Sequence, residues 1–328
     1  MTQKLKVSVV QTCTAAYSLP ETLDKLDRLV RLARERDGSQ FCVFPEAFVG
    51  GYPRFSSFGT VIGSRTPAGR DEFLRYHSAA ITLSPDSPAR IRIESVARSY
   101  GVFLVVGVIE KDDYAASTGT LYCSAIFVDP ERGLVGKHRK LMPTASERIV
   151  WGMGDGSTLP VLDFAFATGK ASDEKTGEAN SHVNAKVSAT ICWENYMPLR
   201  PIITLKGFSY IARRLSTRAP SGNTRWHILR WKVDALSCPL ANMHNRKIFQ
   251  PAMRFRRALS QIQRRQVMIG GGSVIVGPLG DVLAGPLESG EGVLTAEVDL
   301  NDCIRGKLDL DVVGHYARPD IFKLIVQE

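Results

Sequence analysis

The most informative stretch of the sequence is residues 187–195, which read Val187-Ser188-Ala189-Thr190-Ile191-Cys192-Trp193-Glu194-Asn195. One cysteine closes an apolar run and a turn with polar residues follows it, so Cys192 is predicted at the exit of a buried strand, on a strand-to-helix elbow. The thiolate is the nucleophile of cysteine chemistry. Backbone N–H groups of such an elbow can also stabilise a developing negative charge.

Two other segments supply groups that a nucleophilic cysteine needs. Glu46 follows the apolar strand 41–44, where partial desolvation suits a carboxylate to general-base chemistry. Lys140 ends the strand-like segment that starts at Gly136, and Glu147 follows seven residues later. The sequence thus offers a thiol, an ammonium and carboxylates, each at the edge of a strand-like segment.

These residues resemble the nitrilase superfamily of carbon–nitrogen hydrolases, whose triad is Glu, Lys and Cys. Five segments in the family's order carry the resemblance: those around Glu46, Lys140 and Cys192, and the runs 146–156 and 309–320. The match covers 4 to about 198 and 270 to about 322. Cys-Trp-Glu-Asn is similar to the nitrilase branch, which acts on nitriles, because amidase branches more often place other residues after the cysteine.

The resemblance implies a mechanism that needs no cofactor. Cys192 would attack a nitrile, Glu46 would act as acid and base, and Lys140 would stabilise negative charge. Glu147 either orients Lys140 or is a surface acid. Taken alone, each residue has an ordinary interpretation: Glu46 a helix-capping carboxylate, Lys140 a solvated lysine, Cys192 a buried core cysteine. Their combination favours the catalytic interpretation.

The resemblance also implies a fold, an assembly and a substrate class. The fold is α/β, a four-layer α-β-β-α sandwich that associates through its helices into homo-oligomers. Tyr52, Trp151 and Trp193 lie beside the catalytic motifs and are expected to bind substrate. They favour an aromatic or arylaliphatic nitrile, hydrolysed to a carboxylic acid and ammonia. A related amidase or carbamoylase with the same triad is the alternative.

Composition limits the other classes of protein. The 328 residues are 44% hydrophobic and 23% charged, which is typical of a soluble globular protein, and we expect one domain over 1–328. No apolar run approaches the roughly 20 residues of a membrane span, and no signal peptide precedes the first strand. Six scattered cysteines without a CxxC pair favour a reducing, cytoplasmic location. The six histidines have no metal-ligand spacing, so no metal is expected.

Apolar patterning predicts alternating strands and helices, and hence an α/β sheet. Two helices are predicted, over 19–36 and 87–100, and 165–184 is interpreted as a surface loop. The predicted strands cover 6–11, 40–45, 102–109, 122–128, 189–192, 272–276 and 293–298.

Residues 200–266 depart from the family pattern. They carry 12 Arg and 3 Lys against one acid, Asp234, whereas the rest of the chain has 27 basic and 32 acidic residues. The overall charge of +9 is therefore local to this segment, called here the basic tract. So many cations cannot be paired internally, and buried unpaired charge is costly. We therefore expect an exposed, irregular tract beside Cys192.

Two interpretations of the basic tract compete, with a third of a different class. Codons compatible with 232–242, read in a shifted frame, can encode family-like sequence, and the same frame works at 227–231 and 213–220. The tract is then a frame-shifted segment that lowers stability and activity. Alternatively it is a genuinely divergent insert. An arginine-rich segment with aromatic residues could also bind nucleic acid, but no recognised binding motif is present, so this is disfavoured.

Overall fold

The computed structural model describes residues 4–113, 118–167, 182–197, 210–214, 231–234 and 271–327. These ranges contain thirteen strands and four α-helices. The helices are α1 (Leu19–Asp37), α2 (Pro67–Ala79), α3 (Pro88–Tyr100) and α4 (Asp302–Asp309). The strands are β1 (Lys4–Gln11), β2 (Phe41–Val43), β3 (Phe103–Lys111), β4 (Leu121–Asp129), β5 (Gly133–Arg139), β6 (Leu162–Ala167), β7 (His182–Val187), β8 (Ala189–Ile191), β9 (Tyr210–Arg214), β10 (Trp231–Asp234), β11 (Ser273–Val276), β12 (Val282–Leu287) and β13 (Gly292–Asp299).

The first sheet has six strands in the order β13-β1-β2-β3-β4-β5. Strands β1, β2 and β3 are parallel, whereas β4 is antiparallel to both β3 and β5. Strands β1, β2, β3 and β5 therefore end at the same edge of the sheet. The chain closes this sheet with its last strand, because β13 pairs antiparallel with β1 from Lys4↔Asp299 to Gln11↔Gly292.

The second sheet has five strands in the order β12-β11-β10-β9-β8. Strands β8, β9 and β10 are parallel, and β11 is antiparallel to β10. A separate antiparallel pair is formed by β6 and β7. Strand β8 leads directly into Cys192.

The core forms two layers, one on each face of the first sheet. One layer packs the inner side chains of β1 to β4 against β6, β7 and β8, including Phe103, Phe127 and Ile191. The other packs the outer side chains against α1 and α3, including Leu26 and Ile93. The described residues thus supply three successive layers of the predicted α-β-β-α sandwich. The residues expected to form the second helical layer lie outside the described ranges, so that layer stays a prediction.

The predicted surface loop over 165–184 is wrong at both ends. Strand β6 continues through Ala167 and β7 begins at His182, with Ala165 paired to Asn184. The alternating side chains Phe164, Phe166 and Val183 are buried, and this burial outweighs the polar composition. Residues 168–181 lie outside the described ranges.

The basic tract contributes two strands to the second sheet. Strand β9 lies directly beside the cysteine strand, with Ala189↔Ala212 and Ile191↔Arg214 in register, and β10 lies next to β9. The tract therefore sits beside the cysteine strand, as expected, but irregular backbone was the wrong expectation for these two segments. The remainder, 200–209, 215–230 and 235–266, lies outside the described residues.

Candidate active site

The side chain of Glu46 lies just beyond β2, at the edge where β1, β2, β3 and β5 end. It is 6% exposed. Its Oε1 accepts a hydrogen bond from Lys140 Nζ at 3.0 Å and one from Cys123 Sγ at 3.5 Å. Its Oε2 is buried and has no hydrogen-bond partner among the described residues. One carboxylate oxygen is thus held in place, and the other is available to accept a proton.

Lys140 follows β5 at the same edge of the sheet. Its backbone N–H donates to the backbone carbonyl oxygen of Cys123 at 2.8 Å, which continues the pairing of β4 with β5 for one more residue. Its Nζ donates to Glu46 at 3.0 Å and to Glu147 at 2.6 Å, and the side chain is 1% exposed. The ammonium also lies 5.5 Å from the centre of the Trp151 ring. The lysine is therefore immobilised by two carboxylates and an aromatic face.

Opposing effects act on the pKa of Lys140. Burial disfavours the ammonium and would lower this pKa. Nearby negative charge, to which Glu46 contributes most and Glu147 adds, together outweighs burial, so the pKa of Lys140 lies well above the ordinary lysine value. Negative charge on the sulfur of Cys123 or Cys192, as a thiolate, acts in the same direction. Lys140 is therefore a permanent cation at neutral pH.

Glu147 has the contacts that an orienting residue requires. It lies on the short 3₁₀ helix Ala145–Ile149 and is buried. Its Oε2 accepts hydrogen bonds from Lys140 Nζ and from the Thr144 N–H, both at 2.6 Å. Its Oε1 accepts a third bond, from Tyr52 Oη at 2.8 Å. Both oxygens are occupied, so Glu147 can hold the lysine but has no free oxygen to act as a base.

Cys192 occupies a strained elbow after β8. It is the first residue of the 3₁₀ helix Cys192–Tyr196, is 4% exposed and has φ of 57°. The left-handed conformation costs a non-glycine residue about 1–2 kcal/mol. Such strain persists only where surrounding structure fixes it, and it clusters at functional sites. The predicted elbow is present, and Cys192 is buried in the same core cluster as Cys123 and Trp151, which contact Glu46 and Lys140 respectively.

The three aromatic residues named from the sequence do not form one wall. Tyr52 and Trp151 pack edge to face, with ring centroids 5.5 Å apart. Trp151 is 3% exposed, and its indole N–H donates to Tyr76 Oη at 2.9 Å. Burial raises the pKa of Tyr52, and the Glu147 carboxylate raises it further, so its phenol stays protonated and can donate. The Trp193 side chain is 58% exposed and faces outward.

Sequence reasoning missed three buried residues beside the triad. Cys123, which received no role, donates its S–H to Glu46 Oε1. His138 and Glu194 received no role, yet they form a buried pair with Nε2 to Oε2 at 2.8 Å. Their nearness in sequence to predicted catalytic residues could have pointed to them. His138 is two residues before Lys140, and Glu194 is two residues after Cys192. Within the described ranges, no group of three or more histidine, cysteine or acidic residues is arranged to hold a metal ion.

Comparison with known proteins gives consistent matches in sequence and in fold. The family pattern described as carbon-nitrogen hydrolase matches residues 6–307. An arylacetonitrilase of Trametes versicolor is 54% identical over 332 residues, covering 100% of this chain and 98% of that protein. A bifunctional nitrilase/nitrile hydratase of Nicotiana tabacum is 42% identical, covering 100% and 87%. An aliphatic nitrilase of Sinorhizobium fredii is also 42% identical, covering 99% and 96%.

Solved structures share the fold at low sequence identity. Saccharomyces cerevisiae Nit3, a member of the nitrilase superfamily, superimposes with a TM-score of 0.65 at 17% identity, covering 96% of this chain and 97% of that one. An amidase of Nesterenkonia gives a TM-score of 0.58 at 18% identity, covering 93% and 95%. These matches concern the fold alone.

Proposed function

Because the chain belongs to the carbon–nitrogen hydrolase family, we propose that its site hydrolyses an organic nitrile to a carboxylic acid and ammonia. The observation that carries the proposal is the buried pair of Glu46 and Lys140, with Cys192 buried in the core cluster that adjoins it. In this group one carboxylate oxygen is held by the lysine and the other has no partner among the described residues. A free buried acceptor beside a thiol is what covalent cysteine catalysis requires.

The first half-reaction attaches the substrate to the enzyme. Glu46 Oε2 takes the thiol proton of Cys192, and the sulfur attacks the nitrile carbon. The nitrogen gains the proton and a covalent thioimidate results. Lys140 stabilises the negative charge that develops on nitrogen, with the Trp193 backbone N–H as a second donor. Because Glu147 holds the ammonium, this stabilisation needs little rearrangement.

The second half-reaction uses two water molecules. Glu46 deprotonates the first water, which adds to the thioimidate carbon and gives a tetrahedral species bearing oxygen, nitrogen and sulfur. Protonation of the nitrogen releases ammonia and leaves a thioester. A second water, activated by the same carboxylate, cleaves the thioester and returns the proton to the sulfur. The sum is one nitrile and two waters converted to one acid and one ammonia.

We propose an arylaliphatic nitrile as the substrate. The relative that is 54% identical over 98% of its length is named arylacetonitrilase. Tyr52 and Trp151, packed edge to face beside the lysine, support an aromatic preference.

No helix in the described ranges combines the length and apolar content that a membrane crossing requires.

Assembly and location complete the proposal. We expect copies of the chain to associate through helices, as the family resemblance implies, and such an interface would cover Leu74 on α2 and Ile91 on α3, which are 62% and 50% exposed. Size-exclusion chromatography with light scattering measures this, and a monomer at micromolar concentration contradicts it. The five described cysteines are thiols rather than disulfides, which supports a cytoplasmic location.

The test of function is a substrate panel with three product readouts. Phenylacetonitrile, benzonitrile and an aliphatic nitrile are incubated with the enzyme, and phenylacetamide serves as the matched amide. Ammonia, acid and amide are quantified for each. We expect acid and ammonia in equal amounts, with phenylacetonitrile the fastest substrate. Turnover of phenylacetamide without turnover of any nitrile would assign the site to an amidase instead.

A further inference from the structure

A single buried carboxylate, Glu194, bridges the two catalytic segments. Its Oε2 accepts the backbone N–H of Ile191 at 2.6 Å, and its Oε1 accepts that of Leu141 at 2.7 Å. Ile191 immediately precedes Cys192, and Leu141 immediately follows Lys140. The spacing between nucleophile and lysine is therefore set through one side chain that is 1% exposed.

His138 completes this bridge from the other side. Its Nε2 faces Glu194 Oε2 at 2.8 Å, and its Nδ1 faces the backbone oxygen of Thr158 at 2.5 Å. A carbonyl oxygen only accepts, so Nδ1 carries a proton. A further proton then lies between Nε2 and the carboxylate. Two backbone N–H donors stabilise the carboxylate form of Glu194, and the proton therefore belongs to the ring, which makes His138 an imidazolium.

The electrostatic surroundings agree with that assignment. Burial alone would lower the pKa of His138, but the Glu194 charge and hydrogen bond raise it above the ordinary histidine value. Among the described residues, Glu194 is the charged group that faces the ring, and the remaining contact is the Thr158 carbonyl. The neighbouring charged side chains of β5, Lys137 and Arg139, are instead bound to Glu110.

We infer that Glu194 and His138 are a positioning pair, which holds the strained Cys192 elbow in register with Lys140 through an ion-paired bridge. The inference rests on the proposed function, because the bridge matters only if Cys192 and Lys140 act on the same substrate. Neither member touches the reacting atoms. Their effect is on the distance between nucleophile and cation, and misplacement on the order of 1 Å can cost about 100-fold in rate.

The chain offers a matched control in Glu94. This carboxylate also joins a cation to a backbone N–H of β5, since it binds Arg90 at 2.8 Å and accepts from Leu134 at 2.9 Å. Leu134 lies at the opposite end of β5 from Lys140, far from the site. Glu94→Gln therefore removes comparable chemistry without disturbing the bridge.

The experiment compares Glu194→Gln, His138→Phe, the double variant and Glu94→Gln with phenylacetonitrile, at temperatures well below each melting point. Active sites are counted by stoichiometric labelling of Cys192 with iodoacetamide. We expect each single bridge variant to lose roughly 10- to 100-fold in kcat per labelled site, with KM changed less than threefold. The double variant should lose little more than either single one, because the pair acts as a unit. Glu94→Gln should keep kcat within twofold.

A conservative variant separates positioning from simple loss of fold. His138→Gln retains an amide donor toward Glu194, so it should recover part of the kcat lost in His138→Phe. Equal kcat in these two variants, or kcat within twofold of wild type in both Glu194→Gln and His138→Phe, would overturn the inference. Cys192→Ala is run in the same panel. If wild type turns over no nitrile, the proposed function fails; if wild type is active and Cys192→Ala is inactive while the bridge variants are normal, only this inference fails.

Discussion

At the scale of single residues, catalysis is expected to depend on one thiol. Replacing Cys192 by Ala should abolish turnover, because the covalent step has no other nucleophile. The fold should be retained, because alanine fits a site where the cysteine is 4% exposed. Mass spectrometry of substrate-treated wild type should find the acyl or imidoyl adduct on the peptide that contains Cys192. An adduct on Cys123 instead, with Cys192→Ala still active, would reassign the nucleophile.

Replacing either of the two groups that assist the thiol should lower kcat more than replacing an ordinary buried residue. Glu46→Gln loses the proton acceptor, and Lys140→Ala loses the cation that stabilises developing charge. Each should lower kcat by about two or more decades. Steady-state kinetics with phenylacetonitrile measures both. A variant that retains near-wild-type kcat would remove that residue from the mechanism.

At the scale of elements, the bridge between β5 and the cysteine elbow makes stability depend on pH in a defined direction. In the folded protein the Glu194 charge and hydrogen bond raise the pKa of His138 above the ordinary histidine value of 6.5. Its contribution is therefore fully present below pH 6.5 and is lost as pH rises through the folded value. The melting temperature gap between wild type and His138→Phe should be largest at acidic pH and should shrink toward alkaline pH.

Differential scanning calorimetry across pH 5.5 to 9 tests this trend. Glu94→Gln is the control, because Arg90 and a backbone N–H hold the pKa of Glu94 below its ordinary value, and its carboxylate is ionised throughout that range. Its stability difference from wild type should be flat with pH. A gap for His138→Phe that is constant or grows with pH would mean that His138 is neutral in the fold.

Local sequence patterns predicted those elements whose burial is uniform. The apolar runs of β1, β3 and β4 and the apolar stripe of α1 are readable one segment at a time. The sequence also predicted Glu46, Lys140 and Cys192 at the ends of strands, and in the structure they follow β2, β5 and β8. Strands β6 and β7 were missed because their buried residues alternate with polar ones in a largely polar segment. The two segments are recognisable as strands only from their pairing with each other.

The partners of the catalytic residues were less predictable for a physical reason. His138 and Glu194 are 56 positions apart, and their contact exists only because β5 and β8 end near each other. The same holds for Tyr52 and Glu147, which are 95 positions apart. The sequence therefore predicted Glu46, Lys140, Cys192 and Glu147 without the contacts that join Tyr52, His138 and Glu194 to their segments.

At the scale of the whole molecule, the origin of the basic tract can be tested: it is either a frame-shifted segment or a divergent insert. Sequencing the coding DNA should reveal compensating insertions or deletions near codons 198–202 and 266–270 if the tract is frame-shifted. The frame-corrected protein should then melt several degrees higher and turn over nitriles faster. Intact codons, together with full activity of the chain as written, would establish the tract as a divergent element.

The pairing of the first strand with the last has a consequence for biosynthesis. Strand β1 has β2 on one side, but its other edge stays open until β13 pairs with it, and Gln11 waits for Gly292. At roughly 5–20 residues per second, the ribosome needs roughly 15–60 s to make the intervening chain. During that time the nascent protein carries an unpaired apolar strand edge, the kind of surface that other chains can join. Slow translation or crowding of polysomes should therefore lower the soluble yield of this protein, and holding chaperones should restore it.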